Sequence, residues 1–323
     1  MRAVVVEQTG GSEVLQVRER DPQAPLSGHV RVDVAACGVN FIDVYQRTGA
    51  YPKTLPFVAG SEGAGTVAEV GLDVADVSVG DRVAWAMVDG AGYAEEAIVP
   101  ADRLVRVPDG VDLDAAAAVM LQGMTAQYLC ESTFPAGPEH TALVHAAAGG
   151  VGSLLTQMLS AKGTRVIATT STPEKAELAR GAGAADVVLY TETDLVEEVT
   201  RLTGGAGVHV VYDGVGATTF DAGLELLRPR GMMVLYGASS GPVPPLDPQV
   251  LNRQGSLFLT RPTLAHYIHG RDELVERAGT VLAQVASGAL DVRIGGRYGL
   301  EDAGRAHDDL EGRRTTGKLL VIP

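Results

Sequence analysis

At 323 residues, 46% of them hydrophobic and 20% charged, the chain is long for one core, so two domains are the default reading. A formal net charge of −14 at pH 7 denies nucleic acid and anionic membranes the positive surface they need. Any anionic ligand then needs a local group of Lys or Arg. Cys37 and Cys130 are the only cysteines, which excludes a disulfide framework and a four-cysteine zinc site.

In chain order, Met1 to Glu7 reads as a strand rather than a signal peptide. No apolar run reaches the length of a membrane span, and the cytoplasm is the expected compartment. Residues 1–110 are β-rich, with short Val-rich strands expected at Arg2 to Glu7, Val14 to Arg18, Val30 to Ala36, Gly65 to Val70, Arg82 to Ala86 and Ala97 to Val99. His29 to Val34 alternates polar and apolar residues, as a half-buried strand does. Their number and spacing point to a barrel or sandwich. One or two helical turns are expected at Asn40 to Arg47.

The rhythm changes at Asp112, where a cap-like Asp precedes a helix-forming run that continues in pieces to Cys130. From Thr141 to about Thr260, six strands alternate with helices, the pattern of a doubly wound parallel sheet. A long helix follows at Arg271 to Ser287. Residues 292–323 return to short strands around a helix at Leu300 to Gly312. The β/α part is therefore an insertion between two parts of the other domain. We place the boundaries at 1–121 with 262–323, and 122–261.

Ala142-Leu143-Val144-His145 is an apolar strand that runs into Ala147-x-Gly149-x-x-Gly152 and then into a helix-spaced apolar run. Strand, small-residue turn and helix form the context of a dinucleotide site. Small residues admit a pyrophosphate, and the helix N-terminus offers it free N–H groups. The second strand of this domain ends in Thr170-Ser171-Thr172-Pro173-Glu174-Lys175. It carries no carboxylate for a ribose 2′-OH. Hydroxyls come first and then Lys175, which favours a 2′-phosphate and NADP(H). Asp213-Gly214-Val215-Gly216 and Tyr236-Gly237-Ala238-Ser239-Ser240-Gly241 follow the fourth and fifth strands, where ligands or plain tight turns are both expected.

Other motifs carry no chemistry. Gly237 to Gly241 fits G-x-S-x-G, but Pro242, Pro244 and Pro245 follow, so no helix starts there and no nucleophile elbow forms. Gly312 to Lys318 nearly fits a phosphate loop, yet Leu319 comes next and the strand and helix are in reversed order. The histidines show no metal-ligand spacing: His266 and His269 read as surface residues, and His145 as a packed strand residue.

Several stretches resemble the quinone oxidoreductase branch of the medium-chain dehydrogenase/reductases: Gly38 to Gly49, Pro56 to Val67, His145 to Gly152 and Val211 to Gly216. The resemblance extends through Thr260 to Leu264 and Gly317 to Pro323 and covers essentially the whole chain. It implies a GroES-like β-rich catalytic domain, a Rossmann domain and a cofactor, NADPH, in the cleft between them. It implies no metal: Asn40, Ser61 and a position near Leu121 stand where zinc-dependent relatives carry Cys, His and Cys, and Cys37 is next to a ligand position without being on it. Hydride transfer from an oriented nicotinamide remains, and a quinone suits such a site because it is already electrophilic.

By the same resemblance, Asn40, Tyr45 and Tyr51 are at the nicotinamide and substrate. The tyrosines either donate a hydrogen bond to a developing quinolate or wall the cleft. Phe41, Ile42, Asp43 and Thr125 touch the cofactor, and Gly149, Gly150, Val151 and Gly152 lie at the pyrophosphate. Thr170, Ser171 and Lys175 take the 2′-phosphate, Tyr190 flanks the adenosine, and Val215, Tyr236, Gly237, Ser239, Ser240 and Lys318 complete the cofactor set. Val215 replaces a Ser of some relatives, which removes a side-chain hydrogen bond there. The activity implied is NADPH-dependent quinone reduction, with enone or enoyl C=C reduction and non-catalytic NADPH binding as the rivals. Ser256 to Thr260 is an apolar sheet edge, so a homodimer is expected.

Overall fold

The computed structural model describes residues 1–323, which divide into two compact units, Met1–Met124 with Tyr267–Pro323, and Thr125–His266.

In the first unit, β1 (Arg2–Val6) pairs antiparallel with β2 (Gln16–Glu19). Next come β3 (His29–Val39), α1 (Phe41–Thr48), β4 (Phe57–Val58), β5 (Glu62–Val70), β6 (Arg82–Ala86), β7 (Glu96–Pro100) and β8 (Val105–Arg106). The alternation of β3 is realised in three dimensions. Val30 and Val32 are wholly buried among Val67, Val83, Trp85, Val99 and Leu104, whereas His29, Arg31 and Asp33 keep access to water. Trp85 sits in this core because its indole N–H has a partner, the Ala91 carbonyl at 2.6 Å. The strand expected at Val14 to Arg18 is shorter. Ser12–Val14 forms one 3₁₀ turn and the strand begins at Gln16. Val14 and Leu15 are both buried, and a strand cannot turn adjacent side chains to one face. The helix α2 (Leu113–Tyr128) ends in a π turn at Leu129–Thr133.

The second unit holds β9 (Thr141–Val144), α3 (Gly150–Ala161), β10 (Arg165–Thr170), α4 (Pro173–Gly181), β11 (Asp186–Leu189), α5 (Leu195–Thr203), β12 (Val208–Asp213), α6 (Phe220–Glu225), β13 (Leu227–Leu235), α7 (Gln249–Arg253) and β14 (Phe258–Thr260). The six strands are all parallel, in the order β11-β10-β9-β12-β13-β14. Strands one and four of the unit are thus neighbours, and the chain leaves them in opposite directions. That switch point is where open α/β sheets bind ligands. The core under one face contains Leu143, Ile167, Val188, Val211 and Met233.

The chain then returns to the first unit through α8 (Leu264–Tyr267), α9 (Arg271–Ala286), β15 (Ile294–Gly299), α10 (Ala303–Glu311) and β16 (Lys318–Ile322). Leu300–Asp302 is a 3₁₀ turn before α10, so only part of the expected helix is α-helical. β16 pairs antiparallel with the end of β3, Leu320 opposite Gly38. This pairing carries Lys318 to the root of α1.

Candidate active site

The turn after β9 is built for close approach. Ala146 takes φ +52°, Gly149 caps α3, and Gly149, Gly150 and Val151 remain partly accessible. The first-turn amides of α3 have no partner within the helix. A Cβ on Gly152 would strike the Ala146 carbonyl oxygen and come within 2.9 Å of the Ala147 Cα, so only glycine lets α3 pack on this turn.

The end of β10 lies beside it. Thr169 Oγ1 is 3.0 Å from His145 Nδ1. His145 is 1% exposed, and burial lowers the pKa of its imidazole. Thr170 Oγ1 is buried without a hydrogen-bond partner. Thr172 caps α4 by accepting the Lys175 amide at 3.3 Å, which puts Ser171 and Lys175 at the head of that helix. Tyr190 follows β11 and is 43% exposed.

Beyond β12, the buried Asp213 carboxylate accepts the amides of Val215 (2.7 Å) and Gly216 (3.0 Å) and the Thr219 hydroxyl (2.8 Å). Its backbone carbonyl accepts the amides of Tyr236 and Gly237. Burial, then the Asp213 charge, holds the Tyr236 phenol above its ordinary pKa. The Ser240 hydroxyl donates to the Val215 carbonyl at 2.8 Å and accepts the Thr218 amide at 3.1 Å. Ser240 thus ties two loops together, with Ser239 next to it. No helix begins before Gln249, as the three prolines require. Thr125 is buried in α2.

In the first unit, Asn40, at the turn from β3 into α1, is 4% exposed. Its amide nitrogen donates to Glu62 Oε1 at 2.7 Å and its Oδ1 accepts Lys318 Nζ at 2.7 Å. Lys318 also pairs directly with Glu62, and Glu62 Oε2 accepts the Leu121 amide at 2.7 Å. The pair fits because residue 38 is glycine; a Cβ there would overlap the Glu62 carboxylate and come within 2.5 Å of Lys318 Cε. Asp43, one turn into α1, accepts the Asn40 backbone N–H at 2.9 Å, the Ser61 hydroxyl at 3.1 Å and the Tyr93 hydroxyl at 3.1 Å. Burial raises the Asp43 carboxyl to about 6 against the pull of Lys318 and its donors. Tyr93 also meets His307 Nε2 at 3.1 Å, and burial followed by the Arg47 charge lowers His307 to about 3.

Asp43 and Lys318, both expected at the cofactor, are thus enclosed, at 3% and 2% exposure, because each answers buried charge or buried donors in its own unit. Phe41 and Ile42 are only partly covered. Tyr45 and Tyr51 form an aromatic pair with ring centroids 5.1 Å apart, and Phe41 extends it. Sequence reasoning assigned no role to Glu62, Tyr93, Arg47 or His307. A carboxylate inside the glycine-rich run Glu62-Gly63-Ala64-Gly65 was the one available signal. His266 and His269 are exposed, as expected.

The donors do not suit zinc. The Asn40 amide is committed to Glu62 and Lys318, the Ser61 hydroxyl to Asp43, and Leu121 has no donor side chain.

The family described as the alcohol dehydrogenase GroES-like domain matches residues 26–109, and the one described as zinc-binding dehydrogenase matches residues 150–284. A quinone oxidoreductase of Pseudomonas aeruginosa is 43% identical over 315 residues, 97% of each chain. A 2-haloacrylate reductase of a Burkholderia species is 40% identical over 328 residues, 99% of this chain and 98% of its own. The crystal structure of Escherichia coli quinone oxidoreductase complexed with NADPH superposes with a TM-score of 0.97 at 40% identity, covering all of both chains. The two-part fold, the glycine turn at the switch point and this full-length similarity agree, and the chain belongs to the quinone oxidoreductase family of the medium-chain dehydrogenase/reductase superfamily.

Proposed function

We propose that the protein is an NADPH-dependent quinone reductase that works without a metal. The observation that carries the cofactor choice is the end of β10, where Thr170 Oγ1 is buried without a partner, the strand end itself carries no carboxylate, and Lys175 stands beside Glu174 in the first turn of α4. Gly149, Gly150, Val151 and Gly152 hold the pyrophosphate at the α3 N-terminus. Ser171 joins Thr170 and Lys175 at the 2′-phosphate. Tyr190 flanks the adenosine, and Thr125, Val215, Tyr236, Gly237 and Ser239 line the rest of the dinucleotide. Ser240 and Asp213 shape those loops. When bound, NADPH supplies hydride from its nicotinamide.

In the first unit, Asn40 is locked between Glu62 and Lys318, and Phe41, Ile42, Tyr45 and Tyr51 supply an apolar, aromatic surface for a flat acceptor. A quinone needs no Lewis acid, which agrees with the non-ligating Asn40, Ser61 and Leu121. The test compares NADPH with NADH oxidation in the presence of 1,4-benzoquinone or 9,10-phenanthrenequinone. Turnover with a preference for NADPH is expected; no turnover with any quinone, or a preference for NADH, refutes the reading.

The 2-haloacrylate reductase relative favours a second reading, reduction of an activated C=C bond by the same hydride delivery. Turnover of 2-chloroacrylate or an enone well above that of quinones would establish it. We further propose a homodimer joined through β14, whose Phe258 and Leu259 are 56% and 37% exposed at the sheet edge; light scattering that gives a monomer mass refutes it. Two buried free thiols, Cys37 and Cys130, support a reducing compartment, the cytoplasm, which fractionation of the native cell tests.

A further inference from the structure

We propose that Asp43 is the buried acid that supplies the proton of quinone reduction, delivered through the hydroxyl of Ser61. The inference rests on the quinone reading. Hydride brings the acceptor two electrons and one hydrogen; the oxygen that then carries the negative charge takes a proton to complete the hydroquinone. The first unit contains a group arranged to hold that proton. Asp43 Oδ1 accepts the Ser61 hydroxyl at 3.1 Å, and Ser61 is itself 2% exposed.

With Asp43 ionised, the single Ser61 hydrogen is committed to the carboxylate. With Asp43 protonated, the same contact reverses: the carboxyl O–H donates to Ser61 Oγ, and the Ser61 hydrogen turns to another acceptor. Transfer then moves the Ser61 proton to the quinolate oxygen and the Asp43 proton to Ser61. Asp43 is left ionised and regains its proton from water after product release.

The other carboxylate oxygen stabilises that ion. Oδ2 accepts the Asn40 backbone N–H and the Tyr93 hydroxyl. Behind Tyr93 stands His307, kept neutral by burial and the Arg47 charge; with the Tyr93 hydrogen given to Asp43, its Nε2–H donates to the Tyr93 oxygen and its Nδ1 is buried without a partner. The whole row is polarised toward Asp43. The charged and titratable groups around the carboxyl are Lys318 on β16, Glu62 on β5, Cys37 on β3, Tyr93, His307 on α10 and Arg47 on α1. Glu62 is neutralised by Lys318, and the Cys37 and Tyr93 protons are held more tightly than usual. A buried carboxyl that titrates near 6 is matched to proton exchange close to neutrality.

The test measures kcat against pH, and the solvent deuterium isotope effect, for the full-length protein and for Asp43→Asn, Ser61→Ala and Tyr93→Phe, with NADPH and 1,4-benzoquinone. In the native protein kcat falls above an inflection near pH 6. Ser61→Ala loses roughly 100-fold or more in kcat with KM for NADPH within twofold of native. Asp43→Asn abolishes the inflection. Tyr93→Phe, which removes one donor from the ion, moves the inflection to higher pH. A native kcat for Ser61→Ala, or a native profile for Asp43→Asn, overturns the proposal. If Asp43→Asn does not fold, an unmoved inflection in Tyr93→Phe overturns it alone. Absence of quinone turnover in the native protein refutes the quinone reading and the acid with it, whereas turnover with unmoved profiles refutes the acid only.

Discussion

Lys318 and Asn40, 278 positions apart in the chain, meet in a 2.7 Å hydrogen bond from Nζ to Oδ1, and Lys318 Nζ and Asn40 Nδ2 both donate to the Glu62 carboxylate. Three segments, the root of α1, the start of β5 and the start of β16, are thereby joined in a site closed to water. Removal of one member of a buried ion pair leaves the other charge uncompensated. Lys318→Met is expected to destabilise the protein by about 3–5 kcal/mol, read from urea unfolding. The double variant Glu62→Gln with Lys318→Met is expected to cost less than Lys318→Met alone, because no lone charge then stays buried.

The proposed role of Lys175 is to hold the 2′-phosphate of NADPH. Lys175→Ala is expected to raise KM for NADPH by roughly 10- to 100-fold, the loss of one charge-assisted interaction of about 1.5–3 kcal/mol. KM for NADH, which has no 2′-phosphate, stays within twofold of native. Steady-state kinetics with both cofactors checks the contrast, and equal losses would show that the site reads something other than the phosphate.

The packing of α3 on the turn at Ala146 and Ala147 sets a second, steric prediction. Gly152→Ala drives a methyl group into the Ala146 carbonyl, overpacking that costs about 1–3 kcal/mol. The turn must open to admit the methyl group, so NADPH affinity measured by fluorescence titration is expected to fall at least tenfold. By contrast Gly181→Ala, where a Cβ meets no atom within 4 Å, leaves affinity unchanged.

Two buried groups give stability an unusual pH dependence. His307 titrates at about 3 in the fold against an ordinary 6.5, so the unfolded chain takes up a proton that the fold refuses. Stability is lost from pH 6.5 downward by about 1.4 kcal/mol per unit. Asp43 titrates at about 6 against 3.8, so between those values the folded state holds the extra proton and acidification stabilises it. The two slopes oppose each other between about pH 6 and 4, and the His307 loss resumes unopposed below. In His307→Gln only the Asp43 gain remains. Its urea midpoint is expected to rise relative to native as pH falls from 6.5 to 5, and a constant difference would contradict these titrations.

The Rossmann unit was the easier part to read. Most of its strands carry a short apolar run and are followed by a helix of recognisable period, so Leu143, Ile167 and Val211 announce both element and core. The turn at Ala147 to Gly152 and the start of α4 before Lys175 were legible because a turn, a helix start and one cation are local in sequence. The first unit was legible as strands but not as a site. Glu62, Tyr93 and His307 come from three distant segments, and nothing near His307 in the sequence says that Tyr93 faces it. A buried polar network is a property of tertiary closure, and one-dimensional pattern does not carry it. Asp43 shows the difference well. Its place one turn after Asn40 was visible, but the three donors that turn it inward were not.

The pairing of β16 with β3 also has a consequence in time. A ribosome releases residues 125–266 before it makes Lys318, and domains fold as units during synthesis. The second unit is therefore free to complete its sheet while Glu62 still waits for its cation. The arrival of Lys318–Ile322 is what converts the first unit from a partly open sheet with a lone carboxylate into a closed site. The Glu62 carboxylate is thus compensated only once β16 has paired with β3.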